Sequence, residues 1–269
     1  MRKHLLFLGL SLTQLAFVSS LKLDFIKNPF LDMFHCFEDK LWKKSSPVQV
    51  STPPVLKAGQ ECQSNEFSIN GTAFPYWNPS DAFPCMYAGT LNASLTSDQD
   101  HNLFFWLVKN TSLTNPDLVV WLNGGPGSSS MFGLFQENGP ILISRNGSGP
   151  DDFTVGLNKA GSWSDIADVV FLDQPVGTGF SYGNSYLERM EDGAQEFIRF
   201  LDLFLRKFPE YQKGAQGRSL LLTGESYAGK YLPQFARHVV VYNENSQIQV
   251  NLKAVLIGDP LASPVTQRT

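Results

Sequence analysis

The segment Gly224-Glu225-Ser226-Tyr227-Ala228-Gly229 decides the fold, because it joins an apolar run to a segment with helical periodicity. Residues 219–223 before it predict a short buried strand. The helix predicted after it has its apolar positions at Ala228, Tyr231, Leu232, Phe235, Ala236 and Val239. Glycines on both sides of Ser226 permit a sharp turn that lifts the hydroxyl off the backbone. A strand, a G-x-S-x-G turn and a helix in this order favour a hydrolase with Ser226 as its nucleophile.

Further apolar runs predict an α/β fold around this turn. The predicted strands cover residues 86–91, 103–108, 118–122, 169–172, 220–223 and 254–257, and the first two form a hairpin. The clearest helix covers residues 187–207 and ends before Pro209. Strands that alternate with helices imply a mostly parallel central sheet with helices on both faces. Reactive groups in such a sheet lie at the carboxyl ends of its strands, and both Ser226 and Asn123 follow a strand end.

Residues 121–130, Trp-Leu-Asn-Gly-Gly-Pro-Gly-Ser-Ser-Ser, form a second motif, in which a strand runs into a glycine-rich turn. The bare backbone of such a turn can approach a substrate closely. An acyl carbonyl attacked by a serine gains an oxyanion, and each backbone N–H aimed at it is worth about 3 to 4 kcal/mol in the barrier. We therefore assign the N–H groups of Gly125 and Tyr227 to an oxyanion hole. The alternative is a tight turn that only connects a strand to a helix.

Together these segments resemble the serine carboxypeptidases, a family of secreted or vacuolar α/β-hydrolases that remove single C-terminal residues from peptides. The likeness runs from about residue 86 to residue 269. It includes WLNGGPGSSS at 121–130, FQENGP at 135–140, Asn158 with Ser162-Trp163, FLDQPVGTGFSY at 171–182 and GESYAG at 224–229. The resemblance implies that Ser226 is the nucleophile and that Gly125 and Tyr227 donate to the oxyanion. It implies that the substrate's terminal carboxylate is bound by Asn123, Gly124, Glu137 and Glu225.

The two glutamates of this predicted carboxylate site have a consequence for pH. If Glu137 and Glu225 were both ionised, they would repel an anionic substrate group. Close carboxylates raise one another's pKa, and a protonated carboxyl donates a hydrogen bond where an ionised one only accepts. Substrate binding should therefore weaken as the pair loses its proton, which predicts an acidic optimum. The alternative is that both are solvated loop acids.

An activated serine also needs a histidine base and an acid that orients it, and in this fold both follow the serine in the chain. His238 is the one histidine after Ser226, twelve residues later in the predicted helix. At helical rise it lies about 18 Å along the axis, too far to act as the base. The earlier histidines are expected to be surface or satisfied structural residues; these are His4, His35 and His101.

The resemblance accounts for the missing partners of the serine. It implies that the last strands of the sheet, a helical insertion and the catalytic Asp and His lie beyond Thr269. We therefore interpret the chain as the N-terminal part of a carboxypeptidase, with little or no activity by itself. Asp259 follows a strand end, but the family pattern gives no role to that position. Ser128 stands where most members of the family carry a cysteine.

The first residues indicate the secretory pathway. Residues 1–20 combine Arg2 and Lys3 with an apolar run and end on small residues, which predicts a cleaved signal peptide rather than a stable membrane anchor. Residues 21–84 are predicted to be an extension or propeptide, and residues 85–269 a partial hydrolase domain. Sequons for N-glycosylation occur at Asn70, Asn92, Asn110 and Asn146. Of the cysteines Cys36, Cys62 and Cys85, an oxidising compartment pairs at most two. We expect a secreted or vacuolar/lysosomal glycoprotein.

Charge and composition exclude some other classes of protein. The net charge is −4 with no basic run, so nucleic acid is not an expected partner. No metal or cofactor is predicted. A nucleotide-binding loop at 224–230 is a formal alternative, but Tyr231 stands where that loop requires Ser or Thr. Two alternatives on the same scaffold stay open, namely a non-catalytic homologue that binds peptide C-termini and an acyltransferase. Oligomeric state is left open.

Overall fold

The structure is a computed structural model, and it describes residues 62–114, 116–145, 153–214 and 218–267. The strands within these ranges are β1 Cys85–Asn92, β2 Asn102–Lys109, β3 Leu118–Leu122, β4 Ile141–Arg145, β5 Phe153–Leu157, β6 Asp168–Leu172, β7 Leu220–Glu225 and β8 Leu252–Gly258. The α-helices are α1 Met190–Lys207, α2 Ala228–Asn245 and α3 Pro264–Gln267. Every strand and both long helices expected from the sequence are therefore present.

The main sheet has the strand order β1-β2-β6-β3-β7-β8. The β1–β2 hairpin is antiparallel and β2 pairs with β6 antiparallel, whereas β6, β3, β7 and β8 run parallel. Strands β3 and β7 are direct neighbours, and Leu122 at the end of β3 pairs with Gly224 near the end of β7. The turns that follow β3 and β7, which the sequence singles out, thus begin side by side at the carboxyl ends of these strands.

The two faces of the sheet are covered in different ways. Leu118, Val120 and Leu122 of β3 point into a core that they share with α1 and α2. The rings of Phe197 and Phe235 stack between these helices, with centroids 4.4 Å apart. Among the described residues, both long helices therefore lie on one face, although the sequence led us to expect helices on both faces.

The second face of the sheet is covered by short elements that follow β3 and precede β6 in the chain. Val119 and Trp121 of β3 pack there against a π-helical turn, Gly133–Glu137, and the β4–β5 hairpin. The turn cannot lengthen into a long helix, because Pro140 lacks an N–H and Gly139 lies directly on it. A Cβ on Gly139 would come within 2.1 Å of the carbonyl oxygen of Leu134. The π-helical turn therefore ends at Glu137, which becomes part of the site.

Residues 62–84 pack onto the sheet through backbone and aromatic contacts. Ile69 N–H donates to the carbonyl of Met86 at 3.0 Å, and the ring of Phe67 meets that of Phe105 edge-on at 5.3 Å. A disulfide joins Cys62 to Cys85. Two of the three cysteines are therefore paired, within the expected limit of two, while Cys36 and the signal sequence at 1–20 lie outside the described residues. The domain boundary at residue 84 stays a prediction. Within the described part of the chain, no helix has both the length and the apolar character to cross a bilayer.

Candidate active site

Ser226 lies in a sharp turn between β7 and α2. Its φ is +54°, a left-handed conformation that an L-residue adopts only when its surroundings impose it. Backbone hydrogen bonds impose it here, since Ser226 N–H donates to the carbonyl of Gly258 at 2.9 Å. Its own carbonyl accepts from the N–H groups of Gly229 and Leu261 at 3.0 and 2.8 Å. The side chain of Ser226 is exposed, so the turn presents its hydroxyl to solvent.

The diglycine turn after β3 lies directly against this serine. A Cβ on Gly124 would stand 2.6 Å from the nitrogen of Tyr227 and 2.8 Å from the Cβ of Ser226. Only glycine fits at such a distance, because real Cβ atoms do not approach backbone below about 3 Å. Gly125 follows in a left-handed conformation with φ +106° and is exposed. The structure thus brings the predicted oxyanion donors, Gly125 and Tyr227, to the same place as Ser226.

Asn123 links the two predicted carboxylate binders. Its Nδ2 donates to Oε1 of Glu225 at 3.0 Å and to Oε2 of Glu137 at 3.3 Å. Its Oδ1 accepts from the indole N–H of Trp121 at 2.9 Å and from the N–H of Gly133 at 3.1 Å, so the amide has one orientation. Asn123 is buried, and both glutamates are half-buried beside it. The site is therefore one hydrogen-bonded cluster rather than two solvated acids.

Burial raises the pKa of both glutamates in this cluster. Desolvation raises the pKa of Glu137 to about 7, the charge of Glu225 adds to the shift, and the hydrogen bond from Asn123 opposes it. Desolvation also raises the pKa of Glu225, where Asn123 again opposes and the charge of Asp259 adds. A proton is therefore available on Glu137 up to neutral pH, and a neutral carboxyl can donate to an anion.

Asp173 holds the glycine turn in place, a role that the sequence did not reveal. Its buried carboxylate accepts from Ser129 Oγ and Ser130 N–H, both at 2.7 Å, and from the N–H of Phe180 at 2.9 Å. Ser130 Oγ accepts in turn from the N–H of Asn123 at 3.1 Å. Burial raises the pKa of Asp173, against these hydrogen bonds. The sequence signal that could have revealed this role of Asp173 is an acidic residue directly after strand β6, within FLDQPVGTGFSY.

Comparison with known proteins assigns the chain to a family. A family model described as serine carboxypeptidase matches residues 79–269. This chain belongs to the serine carboxypeptidase family. The α/β-hydrolase fold expected from the sequence is confirmed, and the nucleotide-binding alternative has no support. Lys230, the lysine of that supposed loop, donates instead to the carbonyl of Ala262 at 2.7 Å.

Individual relatives of this serine carboxypeptidase chain include fungal KEX1 proteins. The chain is 41% identical over 198 residues to the pheromone-processing carboxypeptidase KEX1 of Ogataea parapolymorpha, a match that covers 70% of this chain and 30% of that protein. With the kex1 protein of Aspergillus oryzae it shares 36% over 252 residues, covering 93% and 37%. The crystal structure of Kex1(Δ)p, a prohormone-processing carboxypeptidase from Saccharomyces cerevisiae, matches with 35% identity and a TM-score of 0.59, covering 68% of this chain and 40% of that one. The chain spans about a third of the length of these curated relatives.

The histidines that the structure describes are both engaged away from Ser226. Nδ1 of His238, on α2, lies 2.8 Å from the carbonyl oxygen of Gln234, and Nε2 lies 2.9 Å from Oε1 of Glu191. His101 is fully buried and pairs its two ring nitrogens with Glu196 and Ser185. The expectation that His101 is satisfied is therefore confirmed, and the expectation that His238 is not the base stays a prediction. His4 and His35 lie outside the described residues.

The remaining predicted sites differ in their surroundings. Asn70 and Asn92 are exposed, whereas Nδ2 of Asn110 donates to the carbonyl of Ser164 at 2.7 Å and is half-buried. Asn146 lies outside the described residues, and glycosylation of all four stays a prediction. Within the ranges that the structure describes, no group of three or more His, Cys, Asp or Glu side chains could hold a metal ion.

Proposed function

We propose that this chain carries the nucleophile and the terminal-carboxylate site of a serine-type carboxypeptidase that releases C-terminal residues from peptides. The observation that supports this most directly is the proximity of two features. The strained, exposed turn at Ser226 meets the diglycine turn, and the Asn123 cluster lies at the same strand ends. The serine turn and the diglycine turn beside it provide acyl chemistry, and the Asn123 cluster provides recognition of a free carboxylate.

In the proposed reaction, Ser226 Oγ attacks the last peptide carbonyl and an acyl-enzyme forms. The N–H groups of Gly125 and Tyr227 stabilise the oxyanion, each by about 3 to 4 kcal/mol. Gly124 contributes by having no side chain, since a Cβ there would collide with Tyr227 N and prevent this approach. Asp173 holds the glycine turn in position through the hydrogen bonds that it accepts from Ser129 and Ser130.

Specificity for the end of a peptide follows from the Asn123 cluster. The amide of Asn123 and the neutral carboxyl of Glu137 donate to the terminal carboxylate, with Glu225 completing the site beside Gly124. Because the pKa of Glu137 is about 7, the site binds an anion best in acid. An acidic optimum suits a vacuolar or lysosomal compartment, and we propose that location or secretion, with a signal peptide at 1–20.

Peptides with a free or an amidated C-terminus test the assignment in the protein that carries this chain. Release of the last residue should require the free carboxylate and disappear in Ser226→Ala, while binding of the free-acid peptide persists in that variant. Equal release from the amidated peptide would exclude the carboxylate site. Undiminished release in Ser226→Ala would exclude the nucleophile.

A second candidate is a homologue that binds peptide C-termini without turnover. Its support is that His101 and His238, the histidines among the described residues, both have other partners and do not contact Ser226. The same experiment separates the two functions. Binding of the free-acid peptide without release of any residue from the unmodified protein would favour this second candidate.

A further inference from the structure

A serine, a histidine and a carboxylate lie together at a place apart from Ser226. His101, in the loop that joins β1 to β2, is fully buried, and its Nδ1 contacts the carboxylate of Glu196 on α1. Its Nε2 lies 2.8 Å from Ser185 Oγ. Glu196 is buried as well, whereas Ser185 is exposed. The hydroxyl of an exposed serine is thus bonded to an imidazole whose other nitrogen contacts a buried acid.

The segment that carries Ser185 is held firmly against this imidazole. Gly183 packs so closely that a Cβ there would lie 2.8 Å from Cδ2 of His101. Asn184 fixes the segment to the β1–β2 loop, because its Oδ1 accepts from the N–H of Asp100 at 3.0 Å and its Nδ2 donates to the carbonyl of Asp98 at 2.8 Å. Contacts of the two preceding residues therefore hold Ser185 over the imidazole.

We infer that Ser185 is a second reactive serine, which small activated acyl or phosphonyl compounds modify covalently, with His101 as its base and Glu196 as the group that orients the base. The order hydroxyl, imidazole, carboxylate is the arrangement that activates a serine, and geometry rather than sequence position identifies it. Exposure of Ser185 gives such compounds access from solvent. The inference does not depend on the role of Ser226.

The step is a simple displacement. With Glu196 ionised, Nδ1–H of His101 donates to it and Nε2 is free to accept the proton of Ser185. A bond forms from Ser185 Oγ to the acyl carbon or to phosphorus, and the bond to the leaving group breaks. The proton passes from Nε2 to the leaving group, which departs as an alcohol or, from a fluorophosphonate, as hydrogen fluoride. No oxidant, reductant or metal is required.

Labelling of the chain with a fluorophosphonate tests the inference. The background is Ser226→Ala, and adducts are located by peptide mass spectrometry in mildly alkaline buffer, because burial raises the pKa of Glu196 against the hydrogen bond from His101. We expect the adduct at Ser185 to form at least about 100-fold faster than at the exposed control Ser97, and to vanish in Ser185→Ala. Reaction at the rate of Ser97 would overturn the inference.

Two further variants separate activation from mere exposure. Glu196→Gln keeps the side-chain volume but removes the charge that selects the reactive tautomer, so we expect labelling at Ser185 to fall by about 100-fold or more. Circular dichroism establishes that this variant is folded. Unchanged labelling in the folded variant would overturn the role of Glu196, and if the variant unfolds, the comparison of Ser185 with Ser97 decides. In the parent chain, labelling at Ser226 is scored separately, so the proposed function and this inference succeed or fail independently.

Discussion

Replacement of Glu137 by glutamine should remove the pH dependence of substrate binding near neutrality. Glu137 shares the amide of Asn123 with Glu225, and its neutral form is the one that can donate to a peptide carboxylate. A glutamine in the same place keeps the shape and remains a neutral donor at every pH. The unmodified site should lose affinity as the pH rises through the pKa of Glu137, and Glu137→Gln should not.

The size of the effect follows from the pKa of about 7. At that value about nine-tenths of the Glu137 carboxyls are protonated at pH 6 and about one-tenth at pH 8. The affinity for a free-acid peptide should therefore fall about tenfold between these pH values, which is about 1.4 kcal/mol. In Glu137→Gln the change should be less than about twofold, since no group with this pKa remains at position 137.

Stability should also depend on pH, in the range between the unfolded and the folded pKa of Glu137. The pKa of Glu137 in the folded chain is raised from 4.5 to about 7, so the neutral form stabilises the fold. This contribution is fully present below pH 4.5 and is lost as the pH rises through 7. The full shift corresponds to about 3 kcal/mol, and solvent screening at this half-buried position reduces it to about 1 to 2 kcal/mol. Glu137→Gln should therefore raise the free energy of unfolding at pH 8 but not at pH 4.

The assay is titration calorimetry with a free-acid peptide and its amide, in the Ser226→Ala background so that no turnover occurs. Glu244→Gln, an exposed position on α2, is the matched control and should keep the tenfold loss of affinity. If Glu137→Gln lost the same tenfold between pH 6 and pH 8, the titrating group would lie elsewhere and the role of Glu137 would be refuted. Tight binding of the amide would refute carboxylate recognition itself.

Other substitutions address the supports of the site. Asp173→Asn replaces an acceptor of the glycine turn by a donor and should lower the free energy of unfolding by about 2 to 4 kcal/mol in urea titration; a loss below 0.5 kcal/mol would contradict this. Gly124→Ala places a methyl group 2.6 Å from Tyr227 N and should reduce kcat/KM at least about 100-fold while Gly193→Ala on α1 does not; equal rates would show that the turns can separate. Phe235→Ala removes the ring stacked on Phe197 and should cost about 3 to 5 kcal/mol in the same titration, and a cost near 1 kcal/mol would mean that the helices repack.

Local features of the chain were predictable because each depends on residues a few positions apart. The run before Gly224 and the periodic residues after Ser226 predicted β7 and α2, and the glycines predicted the turn between them. Buried apolar runs predicted the other strands of the main sheet for the same reason. The pairing of β3 with β7, in which Leu122 lies opposite Gly224, did not follow from the sequence.

The π-helical turn and the β4–β5 hairpin were not predicted. Each of their segments is only five residues long, and packing on Trp121 and its neighbours gives them a stable surface. The placement of both long helices on one face follows from the strand order, because the steps from β6 to β7 and from β7 to β8 cross the sheet in the same direction, and right-handed crossovers then put α1 and α2 on the same face. Likewise Asp173 and His101 gave little signal, since a single acid or histidine acquires a role only through partners far away in the chain.

The sequence by itself determined the strands of the main sheet, the two long helices, the sharp serine turn and membership of an α/β class, because periodicity and glycine placement act over one or two turns of chain. Family likeness named Asn123, Glu137 and Glu225, but it did not supply their geometry. Only the tertiary structure decided that one amide joins carboxylates 14 and 102 positions away, and that burial raises the pKa of Glu137 to about 7. Proton affinity depends on the solvent and charges around a group, and these exist only once the sheet has assembled.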